Sequence, residues 1–239
     1  MIWIAELGVN AHGDIEKMKR MCSKAYDAGA TYIKGQYYNP YRVLGRQHPD
    51  LNYALQCQFT RQQHEEIARY CRSFGAHYGI SVFTPYDVGW LDGFVVFHKI
   101  ASRMNRNAEF IARIDQCKKI TFMSIQPDTV DQRIPDRFKL MWCVREYPTF
   151  KEDILKYPYN RQYGLSSHCP DSSATFSAIN LGAQVIENHL CESREEKGCD
   201  ISSSLTFEEY KDLIRRVQGM NNGNVQMSKS ELLETHKKS

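Results

Sequence analysis

The chain has 239 residues, 42% hydrophobic and 25% charged, with 31 Lys+Arg against 28 Asp+Glu for a formal net charge of +3. That length suits one large domain or two small ones, and that composition suits a folded protein able to bury a sizeable core. The balanced charge excludes a strongly basic nucleic-acid binder, and no apolar run approaches the roughly 18 residues that span a bilayer.

Short apolar runs rich in β-branched and aromatic residues alternate with amphipathic stretches. In chain order the runs at 2–6, 31–36, 77–84, 95–100, 119–125, 138–144, 162–166 and 184–190 read as strands. A helix is expected from about Ile15 to Ala28, with Ile15, Met18, Cys22 and Ala25 on one face and Gly29 as its stop. A second begins at Thr60, where Gln63 three residues on completes a capping box, and buries Ile67, Tyr70, Cys71 and Phe74. Thr206 and Glu209 repeat that device before a last helix burying Tyr210, Leu213, Ile214 and Val217, with Leu205 and Tyr210 as the staple. Connections after the third, fifth and sixth strands read as short or irregular, with Pro127 and Pro135 interrupting the segment after the fifth. Eight strands alternating with helices point to a single-domain (β/α)8 TIM barrel over 1–217, with a polar tail or linker start at 218–239. A doubly wound open sheet is the alternative, weakened because no Gly-x-Gly-x-x-Gly follows the first strand.

Eight cysteines (Cys22, Cys57, Cys71, Cys117, Cys143, Cys169, Cys191, Cys199) include no Cys-x-x-Cys pair. They read as reduced thiols of a cytoplasmic protein rather than a zinc site or a disulfide framework. The N-terminus reaches Glu6 without a basic leader, which is unlike a signal peptide.

A barrel gathers its chemistry at the C-terminal ends of its strands. Those ends offer Glu6, Lys34 with Gln36, Thr84, Lys99 with Ser102, Ser124, Arg145 with Tyr147, Ser166 with His168, and His189. Two lysines and four hydroxyls can clamp a phosphate and a carboxylate; alternatively the lysines snorkel to solvent. His168 and His189, at the ends of neighbouring strands, can share a divalent ion or serve as structural histidines. Glu6 reads as a lysine partner, a general base, or both.

Seven segments occur in order: Ile4-Ala-Glu-Leu-Gly-Val-Asn10, Ile33-Lys-Gly-Gln36, Phe83-Thr-Pro-Tyr86, His98-Lys-Ile-Ala-Ser102, Glu146-Tyr-Pro-Thr149, Gly164-Leu-Ser-Ser-His168 and Val185-Ile-Glu-Asn-His189. From about residue 2 to 217 the chain resembles the sialic acid synthase (N-acetylneuraminate synthase) family. The resemblance implies a metal-dependent transferase that condenses phosphoenolpyruvate with an N-acyl hexosamine-type aldose and releases phosphate. It assigns Lys34, Thr84, Lys99, Ser102, Ser124 and Ser166 to phosphoenolpyruvate, and His168 and His189 to Mn2+ or Mg2+. It gives Glu6 the role of base on water, and Gln36, Tyr147 and Asp200 that of sugar contacts. Tyr86 and Arg145 complete the expected substrate-binding set.

The sequence also departs from that family. Arg103-Met104 stands where Gly-Glu is usual, Arg145 replaces a small polar residue, and Ser124-Ile-Gln126 replaces Ser-Thr-Gly. The new arginines suit an anionic acceptor, or else pair with surface acids such as Glu146 or Asp171. Family members usually carry a C-terminal antifreeze-like domain that reaches across a homodimer, and Ser228-Lys-Ser-Glu-Leu-Leu-Glu234 resembles the start of the linker to it. The competing functional readings are a catalytically silent barrel that binds a sugar or a partner protein, and a related phosphoenolpyruvate–aldose synthase.

Overall fold

The computed structural model describes residues 1–129 and 133–221. The apolar runs form β1 (Ile2–Glu6), β2 (Tyr32–Tyr37), β3 (His77–Val82), β4 (Phe97–Ile100), β5 (Ile120–Ile125), β6 (Lys139–Trp142), β7 (Tyr163–Ser167) and β8 (Val185–Cys191). They lie side by side in chain order, all parallel, and β8 pairs back onto β1 to close a (β/α)8 TIM barrel. A short strand the sequence did not announce, β9 (Ser204–Thr206), extends the sheet beside the end of β8.

Helices cover the outside, and their ends follow local chemistry. In α1 (Ile15–Ala28), Asp14 accepts from the backbone N–H groups of Glu16 and Lys17, and Gly29 closes the helix at φ 113°. Thr60 and Gln63 form the expected capping box of α4 (Arg61–Ser73). Two short helices, α2 (Pro40–Val43) and α3 (Leu51–Cys57), precede α4 and lengthen the loop above β2. The connections after β3 and β6 hold only α5 (Pro85–Leu91) and α7 (Lys151–Ile154), and Pro127–Thr129 after β5 is a 3-10 turn. Next to these, α6 (Ala108–Gln116) and α8 (Ser172–Asn180) follow β4 and β7. At α9 (Phe207–Asn221), Thr206 Oγ1 accepts from Glu209 N at 3.2 Å while Glu209 Oε2 accepts from Thr206 N at 2.8 Å. Residues 222–239, including the linker-like segment from Ser228, lie outside the described residues. Among the described residues no helix is long and apolar enough to cross a membrane.

The core has two layers. Outward-facing strand residues such as Ile33, Ile80, Ile100, Met123 and Ile186 pack against Met18, Ile67, Phe110, Ala178 and Leu213 of the helices. Inside the barrel, Ile4, Phe97, Phe122, Met141 and Val185 form a separate apolar plug. Gly79 on β3 makes room for it, because a Cβ there would sit 2.5 Å from the Phe97 ring. The plug fills the interior below the polar upper end of the barrel.

Candidate active site

Parallel strands bring all their C-terminal ends to one face, and their period of two aims alternate side chains inward. Above the apolar plug those inward positions are Glu6, Lys34, Ser81, Lys99, Ser124, Ser166, Glu187 and His189, each no more than 4% exposed. Burying so many polar groups is costly unless each is partnered.

The partners form one network. Lys34 pairs with Glu6 Oε2 and donates to Ser81 Oγ at 3.0 Å. Glu6 Oε1 accepts from Gly8 N at 2.8 Å and from Gln36 Nε2 at 3.1 Å. Gly8 is needed there, since a Cβ would meet Glu6 Oε1 and Gln36 Cγ at 2.8 Å. Lys99 donates to Ser124 Oγ at 2.7 Å. Glu187 Oε1 lies 3.6 Å from both lysine Nζ atoms and accepts from Ser166 Oγ at 3.0 Å. One buried carboxylate thus bridges the two cations.

The electrostatic consequences differ between the lysines. Burial pushes Lys34 down, but the Glu187 and Glu6 carboxylates outweigh it and raise its pKa above the ordinary value. Burial dominates at Lys99; Glu187 only partly offsets it, Lys34 adds repulsion, and its pKa falls. Burial would raise Glu187, yet Lys34 and Lys99 bring it down to about 2. Lys99 is therefore the less compensated of the two lysines.

The histidines meet on the adjoining side. The His168 and His189 rings are 5.3 Å apart between centroids, nearly perpendicular. Tyr147 stacks on His168, with its hydroxyl 2.7 Å from Nε2, and Cys143 Sγ lies 3.8 Å from the same nitrogen. Burial, reinforced by His189, lowers the His168 pKa to about 3, so the ring is neutral. His189 Nδ1 lies 3.2 Å from Asp200 Oδ2, and this carboxylate overcomes burial to raise the His189 pKa.

A cavity of about 980 Å³ opens over these groups. Lys34, Gln36, Lys99, Ser102, Ser124, Arg145, Tyr147, Ser166, His168, His189 and Asp200 line it, and Glu6 sits behind Lys34. Tyr38, Leu44 and Tyr53, from the long loop after β2, add a wall. Thr84 and Tyr86 are not brought to it. The strand ends at Val82, so the inward hydroxyl of β3 is Ser81; the chain turns outward before Thr84, whose Oγ1 donates to Asp87 Oδ2 at 2.6 Å. Tyr86, on α5, is 77% exposed.

Sequence reasoning missed Ser81, Glu187 and Cys143, although counting back by two from His189 marks Glu187 as inward. It also missed buried Asn105, which donates to Ser124 O at 3.0 Å and Gln126 Oε1 at 2.8 Å. Arg145 pairs with neither Glu146 nor Asp171. It donates to Gln126 Oε1 at 3.1 Å and lies 3.5 Å from Asp128 Oδ2. A group of three potential ligands with atoms within 4.8 Å of one another, Asp92, His98 and Cys117, lies on the outer side of β4. Lys119 Nζ already sits 3.2 Å from Asp92 Oδ1 there, supplying the positive charge.

The sequence matches the family model described as NeuB family over residues 21–228. The chain belongs to the NeuB family. The pseudaminic acid synthase of Campylobacter jejuni is 29% identical to it over 247 residues, covering 90% of this chain and 72% of that protein. Human N-acetylneuraminate-9-phosphate synthase is 25% identical over 248 residues, covering 90% of this chain and 68% of that one. The crystal structure of the N-acetylneuraminic acid (sialic acid) synthetase of Leptospira borgpetersenii superposes with a TM-score of 0.83 at 23% identity, covering 99% of this chain and 90% of that one. Within this NeuB barrel the network of lysines, carboxylates and hydroxyls occupies the barrel mouth, where such folds place their chemistry.

Proposed function

We propose that this NeuB-family chain is a transferase that condenses phosphoenolpyruvate with an N-acyl hexosamine-type aldose, giving a nonulosonic 2-keto acid and free phosphate. The observation that carries the reading is the pair of buried lysines bridged by Glu187 and flanked by Ser81, Ser124 and Ser166. The donor carries a phosphate and a carboxylate, and compact ammonium charges with directed hydroxyl donors match both.

In this reading Lys34 and Lys99 hold the donor's anionic groups, with Ser102 at the rim and Ser124 and Ser166 orienting them. The enol carbon attacks the aldehyde carbon of the acceptor, and water adds to C2 as the C–O bond to phosphate breaks. Glu6, fixed by Gly8 N and Gln36, takes the proton of that water. Gln36, Tyr147 and Asp200 contact the acceptor.

The residues also fit a divalent ion, Mn2+ or Mg2+. His168 is neutral, its Nδ1 is buried without a hydrogen-bond partner, and His189 and Asp200 add a second imidazole and a carboxylate beside it. An ion held by His168, His189 and Asp200 would supply a Lewis acid for the aldehyde oxygen. Eight free cysteines suit a reducing cytoplasm.

The test is phosphate release from phosphoenolpyruvate with Mn2+ and a panel of N-acyl hexosamines and their phosphates. Acceptor-dependent release is expected. Absence of release with every acceptor refutes the reading and favours a binding barrel.

A further inference from the structure

The deep cations of the mouth have Glu6 and Glu187 as carboxylate neighbours, but among the described residues the outer rim between β4 and β6 carries more cations than acids. Arg103 lies on the 3-10 turn Ser102–Met104 directly after β4 and lines the cavity. Its guanidinium is 5.4 Å from the ring centroid of Phe83, another lining residue. Among the described residues no carboxylate pairs with it. Arg106 and Arg145 line the same rim and share one carboxylate: Asp128 Oδ2 is 2.5 Å from Arg106 Nη2 and 3.5 Å from Arg145 Nη2. Among the described residues, three guanidiniums therefore have a single paired acid between them.

The arrangement is held in place from below. Asn105, 1% exposed, sits between Arg103 and Arg106 and ties their turn to Ser124 O and Gln126 Oε1. Gln126 Oε1 also accepts from Arg145. The buried Asn105–Gln126 amide pair thus anchors the turn that carries Arg103 and Arg106 and accepts from the Arg145 side chain, while the Phe83 face orients Arg103 by a cation–π contact. A guanidinium presents a planar fork matched to two oxygens of a phosphate or carboxylate, and a neutral sugar hydroxyl uses only part of it.

We propose that this rim binds an oxyanion carried by the acceptor, a sugar phosphate or a uronate, with Arg103 as the unpaired guanidinium and Arg106 and Arg145 beside it. The inference rests on the phosphoenolpyruvate–aldose reading and names the acceptor class for that same site. The donor and the acceptor then bind to different cations: the donor to the two lysines at the floor of the cavity, the acceptor's anionic end to the arginines at its edge.

The experiment compares kcat/KM for an N-acyl hexosamine, its 6-phosphate and the corresponding uronate, by phosphate release from phosphoenolpyruvate at low and moderate salt. The wild type is expected to favour an anionic acceptor. Arg103→Ala is expected to lower the ratio of anionic to neutral kcat/KM by roughly 5- to 10-fold, the scale of one part-exposed charged contact. The preference shrinks with salt. The phosphate and uronate arms show which oxyanion the rim takes. Equal use of neutral and anionic acceptors by the wild type, or an unchanged ratio in Arg103→Ala, overturns this inference and leaves the condensation reading standing. No release with any acceptor overturns both.

Discussion

Replacing Glu187 by Gln removes the carboxylate that both buried lysines share. Its Oε1 stands 3.6 Å from each Nζ. At an effective dielectric near 20, that separation gives a gross attraction of about 5 kcal/mol per lysine. Desolvation of the three charges cancels much of this, and breaking a buried ion pair typically costs about 3–5 kcal/mol. The amide oxygen of Gln can still accept from Ser166, and Lys99 can shed its proton, which places the expected loss near the lower end, at about 3 kcal/mol. The loss should depend on pH in a defined direction. Lys99 already has a folded-state pKa below its ordinary 10.5, because burial outweighs Glu187. Without Glu187 it falls further. A lysine with a depressed folded pKa carries its full penalty below that pKa. The penalty then shrinks as pH climbs toward the unfolded value, because in that window the unfolded state binds more protons. Urea unfolding of wild type and Glu187→Gln at about pH 7 and about pH 9.5 should therefore show the larger deficit at the lower pH. A deficit under about 1 kcal/mol at neutral pH, within the range of ordinary substitutions, or one identical at both pH values, refutes the account of Glu187 as the shared counter-charge.

Lys34→Ala and Lys99→Ala should each weaken phosphoenolpyruvate binding roughly 10- to 150-fold, the scale of a lost charge-assisted hydrogen bond; calorimetric titration showing unchanged affinity in both returns these lysines to a structural role. His168→Ala and His189→Ala should each abolish Mn2+-dependent phosphate release while circular dichroism still shows a folded barrel. Persistence of the metal dependence in either variant moves the ion elsewhere. Gly79→Ala drives a methyl to 2.5 Å from the Phe97 ring, and should destabilise the barrel by about 1–3 kcal/mol through overpacking; a neutral result in thermal unfolding would mean that the plug can shift.

The sequence by itself determined the elements and much of the cast at the mouth. Helix starts such as Thr60 with Gln63 and Thr206 with Glu209 depend on residues three apart, so they are legible without the fold. Lys34, Lys99 and His189 were legible for a similar reason: a polar residue near the end of an apolar strand has only two faces to choose from, and closure of the barrel decides between them. What the tertiary structure decided was where each strand stops and what stands across the barrel. The end of β3 at Val82 exchanged Thr84 for Ser81. The bridging role of Glu187 exists only because closure sets β8 within reach of lysines on β2 and β4, which chain order places 153 and 88 residues away. Likewise Arg145 found Gln126 and Asp128 rather than its sequence neighbours, leaving Arg103 unpaired among the described residues. Alternation and capping are local rules carried by a few adjacent residues, whereas charge pairing across a closed sheet depends on the register of every strand between the partners.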